Sequence, residues 1–248
     1  MTMNTRIKIV VAAIFLAFNG VTPAMCGEKL NLTDGDTFVF KVKNQQGDVF
    51  ESTTEYRVDS MPEGLQYGYT NSDKFEKWEV NVNQDAVPST IVYTSKGNTM
   101  ELNFDGKGSV QMTGLFAGKQ INVTGFFSPS VSLENALILR TRQLKEGEQY
   151  VFDLLQTSEF PALKAYEMYF KVAGSQTITV QAGTFQCKKV LFSLKGWRGL
   201  FYKAYYYVSD DKHRYLVKME NIPMGGWSEL IRIENRKPAQ TQKSTGDK

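Results

Sequence analysis

The sequence predicts an all-β protein with one short helix, its strands joined as antiparallel meanders. Three observations predict this. Many brief runs rich in Val, Thr, Tyr and Phe carry the two-residue apolar period of half-buried strands. Glycine beside an acidic, amide or small residue punctuates these runs, as tight hairpin turns require. Two stretches also read almost alike: Leu32-Thr-Asp-Gly-Asp-Thr-Phe-Val-Phe-Lys41 and Leu144-Lys-Glu-Gly-Glu-Gln-Tyr-Val-Phe-Asp153. Each is an acidic-glycine turn that launches an aromatic strand. The sheet is therefore expected as one continuous body or as two duplicated lobes.

Residues 1–24 read as a secretory signal peptide. Arg6 and Lys8 form a basic start, Ile9 to Phe18 is unbroken apolar sequence, and Asn19, Gly20 and Pro23 end any helix. The apolar run is too short to span a bilayer. Cleavage after Thr22-Pro-Ala24 starts the mature chain at Met25; cleavage after Ala24-Met-Cys26 starts it at Gly27. A lipid anchor on Cys26 needs small residues before it, and Met25 and Pro23 fit poorly. The expected location is periplasmic or extracellular.

Lys and Arg number 29 against 26 Asp and Glu. Loss of Arg6 and Lys8 with the leader brings the balance close to neutral, which gives no footprint for nucleic acid and no polybasic attraction to a membrane surface. No later apolar run is long enough for a transmembrane helix, so an integral membrane protein is not expected. The two cysteines, Cys26 and Cys187, can pair only if cleavage leaves Cys26 attached. Otherwise Cys187 is a lone thiol in an apolar strand.

The first β unit spans 25–128. Its strands are expected at 37–43, 49–58, 65–70, 75–83, 89–94, 99–104, 109–115 and 119–124, separated by turns such as Asp34-Gly35, Gln46-Gly47, Lys96-Gly97-Asn98 and Asp105-Gly106. Residues 129–144 read as the connecting helix: Ser130 or Ser132 can cap it, and Leu133, Leu137 and Ile138 mark its apolar side. The second unit, 145–234, is expected to place strands at 149–156, 163–172, 176–181, 185–194, 200–208, 214–221 and 227–234. Ala173-Gly174, Ala182-Gly183 and Lys195-Gly196 are its expected turns. Residues 235–248 form a polar tail without an apolar anchor.

Catalytic and metal chemistry find few candidates. The single histidine, His213, lies in a polar turn, Asp210-Asp-Lys-His-Arg214. There is no Gly-x-Ser-x-Gly elbow and no phosphate-cradling loop. Asp34-Gly-Asp36 and Asn81-x-Asn-x-Asp85 offer oxygen ligands but lack a complete calcium loop. No catalytic residue, metal or cofactor is assigned. The aromatic stretch Gly196 to Val208 is more informative. Read as a strand, it puts Phe201, Lys203, Tyr205 and Tyr207 on one face. Trp78, Trp197 and Trp227 lie near strand ends, where rings can border a cleft. Trp197, Phe201, Tyr205, Tyr207 and Trp227 are the candidate lining of a site for an apolar or amphipathic ligand.

The segment Ile178-Thr-Val-Gln-Ala-Gly-Thr-Phe-Gln-Cys-Lys-Lys-Val190 resembles the signature of a family of uncharacterised exported bacterial β-proteins. Leu216-Val-Lys-Met-Glu220, Thr90-Ile-Val-Tyr93, Asn103-Phe-Asp-Gly106 and Leu139-Arg-Thr-Arg142 are similar to its other recurring segments. The resemblance implies a large curved antiparallel sheet of the half-barrel kind, like periplasmic lipoprotein carriers, with no catalytic residues to carry over. The expected function is a non-catalytic envelope protein holding a lipid or other apolar ligand in the concavity of that sheet. Two alternatives stand beside it: an assembly protein that binds another envelope protein through a sheet edge, and a carboxylate-based glycan hydrolase.

Overall fold

The computed structural model describes residues 36–61, 64–71, 76–83, 88–127, 131–132, 139, 144–155, 160–223 and 225–235. The signal peptide, Cys26, most of the expected helix and the tail from residue 236 lie outside them. The strands are β1 (Asp36–Lys43), β2 (Val49–Met61), β3 (Gly64–Asn71), β4 (Glu76–Asn83), β5 (Pro88–Ser95), β6 (Asn98–Phe104), β7 (Ser109–Phe116), β8 (Lys119–Phe126), β9 (Val131–Ser132), β10 (Gln149–Leu155), β11 (Ala165–Val180), β12 (Gly183–Leu194), β13 (Lys203–Ser209), β14 (Leu216–Asn221) and β15 (Trp227–Asn235).

All belong to one sheet, in the order β8-β7-β6-β5-β4-β3-β2-β1-β15-β14-β13-β12-β11-β10-β9. The order has a simple origin. Short turns make each strand pair with its successor, giving one meander from β1 to β8 and another from β10 to β15. The meanders join where β1 pairs with β15, Phe38 opposite Ile233 and Phe40 opposite Leu230. The outer margins are β8 and β9. Every pairing is antiparallel except the short β9–β10 contact. The result is an all-β antiparallel sheet that is barrel-like but not closed.

Three expectations need correction. Val131–Ser132, inside the expected 129–144 helix, is strand β9. Leu139 alone in that segment is described as helical; it is buried against the second half of the sheet. Ala173-Gly174 is not a turn. It is a bulge within the continuous strand β11, where the register slips between Val172 and Gly174. The extra residue changes which face the side chains meet. Before the bulge Met168, Phe170 and Val172 join one core cluster; after it Ile178 and Val180 join others. Finally, Gly196–Leu200 is a 3-10 turn, so β13 starts at Lys203 and not at 200.

The apolar surfaces of the sheet are covered by the chain itself. On β4 to β7, Trp78, Val80, Ile91, Tyr93, Met100, Leu102, Val110 and Met112 pack against Leu155, Phe160, Leu163 and Ala165 from around the β10–β11 connection. Tyr93 anchors this contact, with Trp78 at 4.3 Å and Phe160 edge-on at 5.8 Å. Trp78 is thus a core residue. In the second half Phe152, Phe170, Phe192 and Tyr206 form a ring cluster that Leu139 and Leu144 help to cover. The β11–β12 hairpin tip bends across the sheet. Val180, Ala182 and Phe185 meet Phe38, Phe40, Leu230 and Ile233, and the Ala182 N–H donates to the Leu230 carbonyl. The Ala-Gly-Thr-Phe motif is therefore the clasp of this tip. Gly183 supplies its φ of +140° and Phe185 its apolar plug.

Candidate functional site: an aromatic face and its apolar rim

Residues opposite one another across antiparallel strands share a face. Two such rows cross the joined half of the sheet. One runs Leu191, Tyr205, Glu220, Trp227, Lys43, Val49; the next runs Lys189, Tyr207, Lys218, Glu229, Lys41, Glu51. Three of the five candidate residues, Tyr205, Tyr207 and Trp227, thus fall on one face. Tyr205 and Trp227 are half-buried and two strand spacings apart, roughly 10 Å. Tyr207 is buried, and its hydroxyl donates to Glu220 at 2.9 Å.

A charge array that the aromatic reading did not anticipate braces this face. Lys218 bridges Glu220 at 3.1 Å and Glu229 at 3.0 Å. The Lys189 ammonium lies 4.0 Å from the centre of the Tyr205 ring and 5.7 Å from that of Tyr207. Burial works against the charge on Lys218, but its hydrogen bonds to Glu229 and Glu220 outweigh that and raise its pKa. Burial likewise works to raise the Glu220 carboxyl, while hydrogen bonds from Lys218 and Tyr207 hold it below the ordinary value. Burial, then the bond to Glu220, pushes the Tyr207 phenol upward. Glu220 therefore stays ionised at neutral pH, the wrong direction for a general acid. The missed signal was the alternation Lys218-Met219-Glu220, charged residues with the period of one strand face.

The other two candidates, Trp197 and Phe201, sit on the 3-10 turn that opens β13. Their rings meet edge-on at 5.7 Å, and both are largely exposed. The turn lies at the strand ends nearest Tyr205 and Trp227, so all five candidates lie toward one end of the interior strands β13 to β15. Leu200 and Ile222, which sequence reasoning passed over, are exposed beside them; the Ile222 N–H donates to the Lys203 carbonyl at 2.9 Å.

The remaining candidates have structural roles. In the His213 turn, the Asp211 carboxylate accepts the backbone N–H groups of His213 and Arg214, and the His213 ring stacks on Tyr215. Cys187 is a free, fully buried thiol, its pKa pushed up to about 12 by desolvation first and by Asp211 and Asp210 second. Asp36, from the first oxygen-rich motif, is buried; Asp34 and Asp85 lie outside the described residues. Among the described residues no group of three or more His, Cys, Asp and Glu could hold a metal ion, and no helix is long and apolar enough to cross a membrane.

Fold and site together define a barrel-like antiparallel β-protein with an aromatic, charge-braced face toward one end of β13 to β15. The chain belongs to the family described as protein of unknown function DUF3108, which it matches over residues 29–228. Among solved structures it is similar to a beta-barrel-like protein of domain of unknown function DUF1849 from Brucella abortus. That likeness has a TM-score of 0.55 and 8% identity, and covers 82% of this chain and 98% of that one. At this identity it shows the fold alone. Weaker likenesses, each with a TM-score of 0.35, reach two further structures. One is a protein described as exported, with a YmcC-like fold, from Bacteroides fragilis (16% identity, 82% of this chain, 97% of that). The other is described as a lipoprotein, from Parabacteroides distasonis (14% identity, 82% and 96%). No curated protein matches the chain in sequence.

Proposed function

We propose that the protein is a non-catalytic, exported module of the cell envelope that binds an amphipathic ligand against the face running from Tyr205 to Trp227. One observation carries the reading. Half-buried aromatic rings and a fixed array of two lysines and two glutamates share a single face, beside exposed apolar side chains. An apolar chain needs the rings and a polar head needs the charges. Support for export comes from the leader-like residues 1–24. The chain's own residues already cover much of the apolar surface: Phe160 and Leu139 in two clusters, and Ile178 and Val217 beside Tyr207 on this face itself. The ligand therefore rests on the face rather than deep within the sheet. A Glu220 carboxylate held ionised by Lys218 and Tyr207 favours recognition over hydrolysis.

The test is titration of the purified mature protein with a monomeric fluorescent acyl amphiphile, below the concentration at which it forms micelles. Tyr205→Ala and Trp227→Ala should each weaken binding by about tenfold, the loss of one well-packed aromatic contact. Native binding that neither substitution alters would sink the reading.

A further inference from the structure

We infer that the rim formed by the β12–β13 and β14–β15 turns docks on the surface of an anionic lipid bilayer. This does not rest on the amphipathic-ligand reading.

Six of the nine exposed large apolar side chains among the described residues gather at one end of the sheet: Val49, Phe50, Trp197, Leu200, Phe201 and Ile222. The connections that bear them are neighbours, because Lys43 pairs with both Val49 and Trp227, and Trp227 pairs with Glu220. From β12 to β2 the rim spans five strand spacings, roughly 24 Å. Four of its members are more than half exposed within the two turns: Trp197 69%, Leu200 71%, Phe201 60% and Ile222 51%. A concentration of this kind on a surface marks a binding region.

The exposure is built in. Gly199 is buried beneath the turn, where an added Cβ would stand 2.6 Å from the Leu194 carbonyl oxygen and 2.7 Å from the Ser193 hydroxyl. The Ser193 hydroxyl lies 3.2 Å from both the Leu194 and Tyr202 carbonyl oxygens, and its single proton is shared between them. The Phe201 N–H closes the turn onto the Arg198 carbonyl at 3.0 Å. Trp197, Leu200 and Phe201 are thereby held outward on a backbone already fixed, so that docking has chiefly their side chains left to order.

Charge selects the occupant. The segment Lys195–Lys203 carries Arg198 and Lys203, with Lys195 already paired to Glu167 at 2.6 Å, and no acidic residue of its own; Asn221–Trp227 carries no charge at all. The Arg198 guanidinium lies 5.9 Å from the Trp197 ring centre. Lys43 stands across from Trp227 on the same rim. Tryptophan, phenylalanine, leucine and isoleucine tips with arginine and lysine behind them match the interface of a bilayer with anionic headgroups. The attraction is confined to Arg198, Lys203 and Lys43, because Asp48 and Glu51 flank Val49 and Phe50 at the far side of the rim.

The experiment is flotation of the full mature protein with vesicles of phosphatidylcholine alone and with phosphatidylglycerol added. Binding should require the anionic lipid and weaken by about fivefold for each of Arg198→Gln and Lys203→Gln. Trp197→Ser, Leu200→Ser and Phe201→Ser should each weaken it by roughly three- to tenfold. Brominated lipid should quench emission from Trp197, measured as the difference between wild type and Trp197→Ser. Absence of binding to anionic vesicles at low salt would overturn the inference. So would binding that survives the triple serine variant, or a patch whose removal changes only self-association in sedimentation. Circular dichroism of each variant confirms the fold. Monomer-amphiphile titration on the same samples separates the two ideas: loss of vesicle binding with the titration intact leaves the ligand reading standing, and the converse result leaves the rim standing.

Discussion

Two tight connections, one in each half of the sheet, put opposite chemistry into water. Between β6 and β7, the Asp105 carboxylate accepts the backbone N–H groups of Lys107 at 2.7 Å and Ser109 at 2.9 Å. Gly108 there presses against the Phe127 carbonyl. Between β12 and β13, buried Gly199 plays the corresponding steric part, but Trp197, Leu200 and Phe201 project outward. Both turns are held by close backbone contacts, so looseness does not explain the exposed rings of the second. The first turn spends its polar groups on itself. The second leaves apolar area uncovered while its backbone is fixed, which is how a contact surface is built.

Substitutions can test this contrast, and the largest effect belongs to a buried ring. Phe160→Ala should cost about 3–5 kcal/mol, because it removes the edge-on partner of Tyr93 and opens a void over β4 to β7; urea unfolding measures it. Gly108→Ala comes next, at roughly 2–3 kcal/mol. Its φ is +109° and the new Cβ would meet the Phe127 oxygen at 2.4 Å. Tyr207→Phe should cost about 1 kcal/mol through loss of the bond to Glu220. Trp197→Ser should change stability by about 0.5 kcal/mol or less, since the ring is exposed. If it instead unfolds the protein, the β12–β13 turn is part of the core and the contrast disappears.

The polar turn also has a signature in acid. Backbone hydrogen bonds from Lys107 and Ser109 hold the Asp105 carboxyl below its ordinary value of 3.8. Its contribution is present above that unfolded-state value and is lost as pH falls through the lower folded-state value. Asp105→Asn should therefore melt below wild type at neutral pH, and the gap should close in acid. Thermal melts across that range read the difference directly.

Much of the sheet was legible because alternation and glycine turns are local signals. Lys96-Gly97 and Asp105-Gly106 mark hairpins, and the β4 to β8 strand ends fall within two residues of the expected ones. Ala173-Gly174 misled for a physical reason. Phe170, Val172, Ile178 and Val180 all keep even numbering, so the change of face at the bulge leaves no trace in the pattern; only pairing with β12 exposes it. Phe201 was placed on a strand because its spacing to Tyr205 and Tyr207 suits one, whereas Gly196 (φ +70°) and Gly199 impose a 3-10 turn there. Tyr205 and Tyr207 were correctly put on one face by their spacing. Trp227 was grouped with them, but the row that joins it to them through Glu220, and the neighbouring Lys218 and Glu229, depend on the register of β13, β14 and β15.

The join between β1 and β15 reaches beyond any single site. Asp36 lies opposite Asn235 and Lys43 opposite Trp227, so the seam at mid-sheet is made from the earliest and latest of the described strands. A ribosome delivers the first of these long before the second. The centre must stay unzipped until synthesis has passed Asn235, while the flanking hairpins can form in order of emergence. Assembly of this kind depends on distant contacts and is slow.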